Sequence, residues 1–162
     1  MSTLSKNTMT LTTPSDREIV LTREFDARRE LVFEAYTKPE HISRWWGCND
    51  STTTCEMDFR VGGEYRFVMR SSEGTEHPFK GIYREISAPE RLVNTQIYDV
   101  EPYSEFEALI TTVFEDLGGR TKLTSTILHR SIEERDGHLN SGMKHGAAES
   151  LNRLEELLAT MA

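Results

Sequence analysis

The sequence predicts an α+β fold in which a curved antiparallel sheet of six to seven strands is covered on one face by a long C-terminal helix. Three observations carry this expectation. Between Arg17 and His129 apolar residues repeatedly alternate with polar ones, the period of strands with one buried face. Glycine pairs at Gly62-Gly63 and Gly118-Gly119, with the break at Ala88-Pro89-Glu90, separate those stretches as tight connections do. After Gly142 the period changes, and Met143, Ala147, Leu151, Leu154, Leu158 and Met161 recur at three- and four-residue steps, the stripe of an amphipathic helix. A sheet with one apolar face needs a cover, and that helix supplies it.

Residues 1–15, rich in Ser and Thr and closing on Pro14-Ser15-Asp16, are expected as a flexible tail, which leaves 16–162 as a single domain. From Arg17 to Phe25, Ile19, Leu21 and Phe25 alternate with Glu18, Thr22 and Glu24, giving a first strand. Asp26 is placed to cap a short helix over about 29–37, and Pro39 opens another turn that delivers Trp45-Trp46-Gly47. Strands are then expected from about Ser51 to Phe59, around Tyr65 to Arg70, His77 to Ile86, Arg91 to Tyr98, Glu105 to Glu115 and Thr121 to His129.

Composition narrows the class of function. The chain has 162 residues with 19 Lys plus Arg against 27 Asp plus Glu, a net charge of -8, which argues against nucleic acid or an anionic membrane as partner. No apolar run approaches the roughly 20 residues of a membrane span. Met1-Ser2-Thr3-Leu4-Ser5-Lys6 lacks the apolar core of a signal peptide, so a cytoplasmic protein is expected. Cys48 and Cys55 are read as reduced thiols. Their spacing is not that of a C-x-x-C pair, and with His41 they would still lack a fourth zinc ligand. No Gly-rich phosphate loop precedes a helix, so a nucleotide site is unsupported; no metal and no cofactor are expected.

Seven motifs in order carry a family resemblance: Arg23-x-Phe25-Asp26-Ala27, Leu31-Val32-Phe33-x-Ala35, Trp45-Trp46-Gly47, Asp58-x-Arg60-x-Gly62-Gly63, Gly81-x-Tyr83-x-Glu85-Ile86, Pro89-Glu90-Arg91-Leu92-Val93 and Gly142-Met143. Over Asp16 to Leu158 the chain resembles the family related to the activator of Hsp90 ATPase, within the superfamily of START, polyketide cyclase and Bet v 1-like domains. The resemblance implies a helix-grip fold. Two positions depart from it, with Arg28 and Cys48 standing where prolines commonly follow Ala27 and Gly47. The second departure leaves the loop after Trp46 less rigid and puts a thiol near the expected cavity entrance.

The resemblance also implies a cavity between sheet and C-terminal helix that holds a small apolar or aromatic molecule. Alternation points Tyr65, Phe67, Met69, Tyr83, Phe106, Ile110 and Ile127 inward, with Met143 and Leu151 facing them from the helix. The same stripe serves as ordinary core with or without a ligand. Trp45 and Trp46 either cap that cavity or pin the short helices to the sheet rim. Asp58 and Arg60 read as an exposed ion pair in a hairpin. The histidines His41, His77, His129, His138 and His145 sit on separate segments, and no catalytic constellation is apparent; of them His145 alone is placed to reach the cavity, against a solvent-facing alternative.

Three functions are therefore carried forward. The first is a binding module for an apolar or aromatic ligand. The second, from the family name, is a protein-interaction domain with a chaperone partner. The third is an enzyme of the cyclase or dehydratase kind, with Tyr65, Tyr83 and Glu85 moving protons. Edge strands leave monomer and homodimer both open.

Overall fold

The computed structural model describes residues 8–161. Its strands are β1 (Thr10–Thr12), β2 (Glu18–Phe25), β3 (Thr52–Met57), β4 (Glu64–Arg70), β5 (Glu76–Ser87), β6 (Arg91–Tyr98), β7 (Glu107–Asp116) and β8 (Thr121–Leu128), and its helices are α1 (Arg29–Thr37), α2 (Pro39–Trp45), α3 (Ile132–Leu139) and α4 (Met143–Met161). All eight strands form one antiparallel sheet in the order β1-β2-β8-β7-β6-β5-β4-β3. From β3 to β8 the chain is a plain meander. β2 then adds to β8, so α1 and α2 must carry the chain from one half of the sheet to its far edge. The architecture is that of a helix-grip fold.

The eighth strand was not expected. Residues 1–7 of the expected tail lie outside the described residues, but Thr10–Thr12 pairs with Thr22, Leu21 and Val20 of β2, and Met9 is buried in the core. A short threonine-rich edge carries too little alternation to register as a strand by itself. Helix α3 is a second addition. Its signal was the capping box Ser131-x-x-Glu134, and the Ser131 hydroxyl does accept the Glu134 amide proton at 3.1 Å. Asp26 does not cap α1. Arg28 occupies that position without a side-chain bond, and Asp26 instead accepts from Arg120 Nε at 2.7 Å.

Helix α4 buries Leu151, Leu154, Leu157 and Leu158 against Ile19, Leu21, Phe25, Phe114, Leu123 and Ile127, which covers the β2-β8-β7 half of the sheet. A second cluster of Ile42, Tyr65, Phe67 and Tyr83 covers the β4-β5 half, and Trp46, Phe59 and Ile86 pack against both. Arg23 interrupts the apolar face of β2. It is only 6% exposed, and its guanidinium donates to Asn152 Oδ1 at 2.5 Å and Glu155 Oε1 at 2.8 Å on α4. No helix among the described residues is long and apolar enough to cross a membrane.

At the end of β8, buried His129 meets His138 of α3, Nε2 to Nδ1, at 3.0 Å. Burial lowers the pKa of both, that of His138 to about 4 from 6.5, with the neighbouring His129 a smaller cause. Between those values the unfolded chain binds more protons than the folded one, so stability is lost as pH falls from 6.5 toward 4. Urea midpoints measured over that range should fall with pH, and His138→Gln should flatten the slope. An unchanged slope in the variant would show that His138 titrates in the folded protein as it does in the unfolded chain.

Candidate functional site

The concave side of the sheet carries a wall of aromatic rings. Trp46 lies edge-on to Phe67 at 5.2 Å and to Phe79 at 4.9 Å, Tyr65 contacts Phe67 at 4.7 Å and Tyr83 at 5.3 Å, and Phe59 stands edge-on to Tyr83 at 5.0 Å. Phe79 continues the series outward by stacking on Tyr98 at 5.1 Å. Inclined and edge-on ring pairs at these separations are the favourable ones.

One missing Cβ makes the wall possible. Gly81 lies opposite Tyr65 on the neighbouring strand, and a Cβ there would come within 1.9 Å of the Thr95 carbonyl and 2.7 Å of the Tyr65 ring. Without it the Tyr65 ring crosses β5, and its hydroxyl donates to the Thr95 carbonyl at 2.6 Å while accepting from the Asn94 amide at 3.0 Å. Tyr83 differs. It is equally buried, yet its hydroxyl makes no hydrogen bond among the described residues. Burial pushes both phenol pKa values well above 10, so both hydroxyls stay protonated and both are donors at neutral pH.

The two tryptophans have separate roles. Trp45 is an anchor: buried, its indole N–H donates to the Ala35 carbonyl at 2.9 Å, and its ring packs on Tyr36. Trp46 is half-buried, and its indole N–H makes no hydrogen bond among the described residues. The loop after it is held from α4 although it lacks the proline. Ser150 Oγ accepts from the Gly47 amide at 3.0 Å and donates to the Trp45 carbonyl at 3.1 Å, and Arg153 donates to the Gly47 and Cys48 carbonyls at 3.1 and 2.8 Å. Gly47 has φ of +121°, which favours glycine there.

The eleven residues read as cavity-lining thus divide. Tyr65, Phe67, Tyr83 and Trp46 share the aromatic wall. Trp45, Ile127 and Leu151 are buried in the main core under α4, and Ile110 and Met143 are half-buried against it. Met69 is half-buried with its sulfur 3.7 Å from the Cys48 thiol. Phe106 belongs to neither group: it precedes β7, is 39% exposed, and touches Tyr103 and Arg130. Its parity is right, but the strand that would turn it inward begins one residue later.

The proton-moving trio does not assemble. Between Tyr83 and Glu85 the register of β5 on β6 shifts by one residue, because Tyr83 pairs with Asn94 while Glu85 pairs with Val93. That bulge carries Glu85 to the face opposite Tyr83, where it pairs with Arg91 at 3.1 Å. His145 is solvent-facing and bonds Glu149 at 2.9 Å. Arg60 bonds Asp58 at 2.8 Å in an exposed hairpin. Cys55 lies beside Met57, and burial pushes its thiol up to about 12, away from nucleophilic use. Among the described residues no group of three His, Cys, Asp or Glu converges as a metal site would require.

Sequence reasoning missed Phe79, Phe59, Asn94 and Tyr98. Phe79 shares the parity of Tyr83, but Pro78 and Gly81 break the alternation around it. Neither of two surface depressions is lined by the wall. One of about 520 Å³ spans β5 to β8 near Arg84, Leu109 and Leu128, and one of about 190 Å³ lies between Arg44 and α4. The space between sheet and helix is occupied by the two clusters and by Trp46, which joins them.

Comparison with known proteins agrees with this geometry. The family described as activator of Hsp90 ATPase homolog 1-like protein matches over residues 26–159. A Nitrosomonas europaea protein is 25% identical, with 92% of this chain and 98% of that one covered at a TM-score of 0.80. An Arthrobacter aurescens protein is 24% identical, with 93% and 91% covered at 0.85, and a Silicibacter pomeroyi protein titled AHSA1 is 21% identical, with 90% and 99% covered at 0.74. No curated protein matches.

Gly81→Ala should destabilise the protein by about 3 kcal/mol, since a backbone oxygen must move to admit the methyl group. Gly146→Ala, in open space on α4, should stabilise it by about 0.5–1 kcal/mol. Urea denaturation of both variants checks the contrast. Equal effects would mean that Tyr65 does not cross β5.

Proposed function

We propose that this chain, which belongs to the activator of Hsp90 ATPase homolog 1-like family, binds a small aromatic molecule against the inner wall of its sheet. The observation that carries the reading is the unbonded hydroxyl of buried Tyr83 within a wall of rings. That hydroxyl is not sealed from solvent, so it stands as an accessible donor with no partner among the described residues, at the edge of an apolar wall. A ligand oxygen or nitrogen reaching Tyr83 accepts its proton in place of solvent, while the ligand ring finds edge and face partners in Phe59, Tyr65 and Phe67.

Entry involves Trp46. It is the half-buried member of the wall, it joins the two apolar clusters, and its N–H is free to bind a ligand acceptor. The backbone on either side of it is fixed to α4, so opening takes the form of a side-chain swing and not a loop melting. Binding then selects the open rotamer, and affinity is reduced by the fraction of time Trp46 spends closed. The cyclase-like alternative is weakened by the separation of Glu85 from Tyr65 and Tyr83.

Native mass spectrometry against flavonoids, aromatic polyketides, hydrophobic hormones and fatty acids tests this. We expect a 1:1 complex with a ring-bearing phenol or ketone, weakened about tenfold by Tyr83→Phe. The same variant should keep the melting point, because the hydroxyl makes no hydrogen bond among the described residues. Silence across the panel, or binding indifferent to Tyr83→Phe and Trp46→Ala, would sink the proposal.

A further inference from the structure

We propose a second binding site on the outer face of the sheet, for an organic anion with an apolar body. The depression of about 520 Å³ lies there, not against α4: its floor is Val93, Thr95, Leu109 and Leu128, which pair across β6, β7 and β8 on the side opposite Asn94, Ile110 and Ile127. Its volume falls within the roughly 300–1,000 Å³ of small-molecule sites. Leu109 leaves 37% of its surface open on this floor.

Charge selects the occupant. Arg84 and Arg17 stand at opposite ends of the floor, both exposed, and neither side chain makes an ion pair or hydrogen bond among the described residues. Arg84 follows inward-facing Tyr83, so strand alternation turns it to the outer face, and it is the extra residue of the bulge. The third arginine, Arg130, is already engaged by Glu134 at 3.0 Å and by the Phe106 ring. On a chain of net charge -8, two unpaired guanidinium groups beside exposed leucine are a local attraction for a carboxylate, sulfonate or similar planar anion. Glu107 in the same lining opposes a polyanion, and the overall charge opposes an anionic membrane. What fits is a single small amphipathic molecule with one charge.

Fluorescence titration with anilinonaphthalene sulfonate and with neutral phenylnaphthylamine, the same rings without the sulfonate, tests the site. We expect one saturable site for the anion, weakened about tenfold or more by Arg84→Glu or by Arg17→Glu, with the neutral probe unaffected by either. Both arginines are exposed and unpaired, so the variants should melt with the native protein. Trp46→Ala should leave this binding unchanged, which separates it from the inner wall. Three results would overturn the proposal: no saturable binding of the anion, which would leave the face to a macromolecular partner; binding indifferent to both arginine variants; or binding lost with Trp46→Ala.

Discussion

The concave side of this protein depends on α4 being held on both flanks of its buried stripe, by polar contacts made between Ser150 and Glu155. The leucines at 151, 154, 157 and 158 supply most of the adhesion, since each fully buried side chain is worth about 1.5–3 kcal/mol. Direction comes from polar contacts. Arg23 on β2 is buried among apolar neighbours, a position tolerable only because Asn152 and Glu155 of α4 meet its guanidinium. Ser150 and Arg153 then reach the other way, into the backbone of residues 44–48. One helix thus fixes both the β2-β8-β7 half of the sheet and the loop that carries Trp46.

From that placement follows a division of the core. Helix α4 stops short of the β4-β5 half, and the rings of Tyr65, Phe67 and Tyr83 fill the space with Trp46 across them. A core of leucine and isoleucine closes on itself, whereas a core of rings with hydroxyls must bond them. Tyr65 does so by crossing Gly81 to reach Thr95, and the Tyr83 hydroxyl instead stays open to solvent. A solvent-open donor beside a half-buried indole gives a guest molecule its anchor.

The architecture was legible because alternation, glycine pairs and the final change of period each reflect which face is buried. The edge strand Thr10–Thr12 and α3 were not, the first because three residues carry too little pattern, the second because its capping box precedes a run without an apolar stripe. Alternation placed Tyr65, Phe67, Tyr83 and Ile127 on the buried side, and the helical period placed Leu151 there. It failed where it assumes an unbroken period: the bulge after Tyr83 turned Glu85 outward, and the late start of β7 left Phe106 exposed. Arg23 was legible only in hindsight, since a charge at an inward position signals a partner on a distant element that sequence alone does not name.

The central claim is that Trp46 is the movable, ligand-facing member of the tryptophan pair and Trp45 the fixed one. The chain has two tryptophans, so proton–nitrogen NMR gives two indole N–H resonances, readily assigned with a Trp46→Phe variant. The account predicts that the Trp45 N–H, buried and bonded to the Ala35 carbonyl, exchanges slowly and holds its position on titration with an aromatic ligand. The Trp46 N–H should exchange fast in the free protein and shift on binding. A Trp46 resonance as protected as that of Trp45 and unmoved by any bound ligand would contradict it.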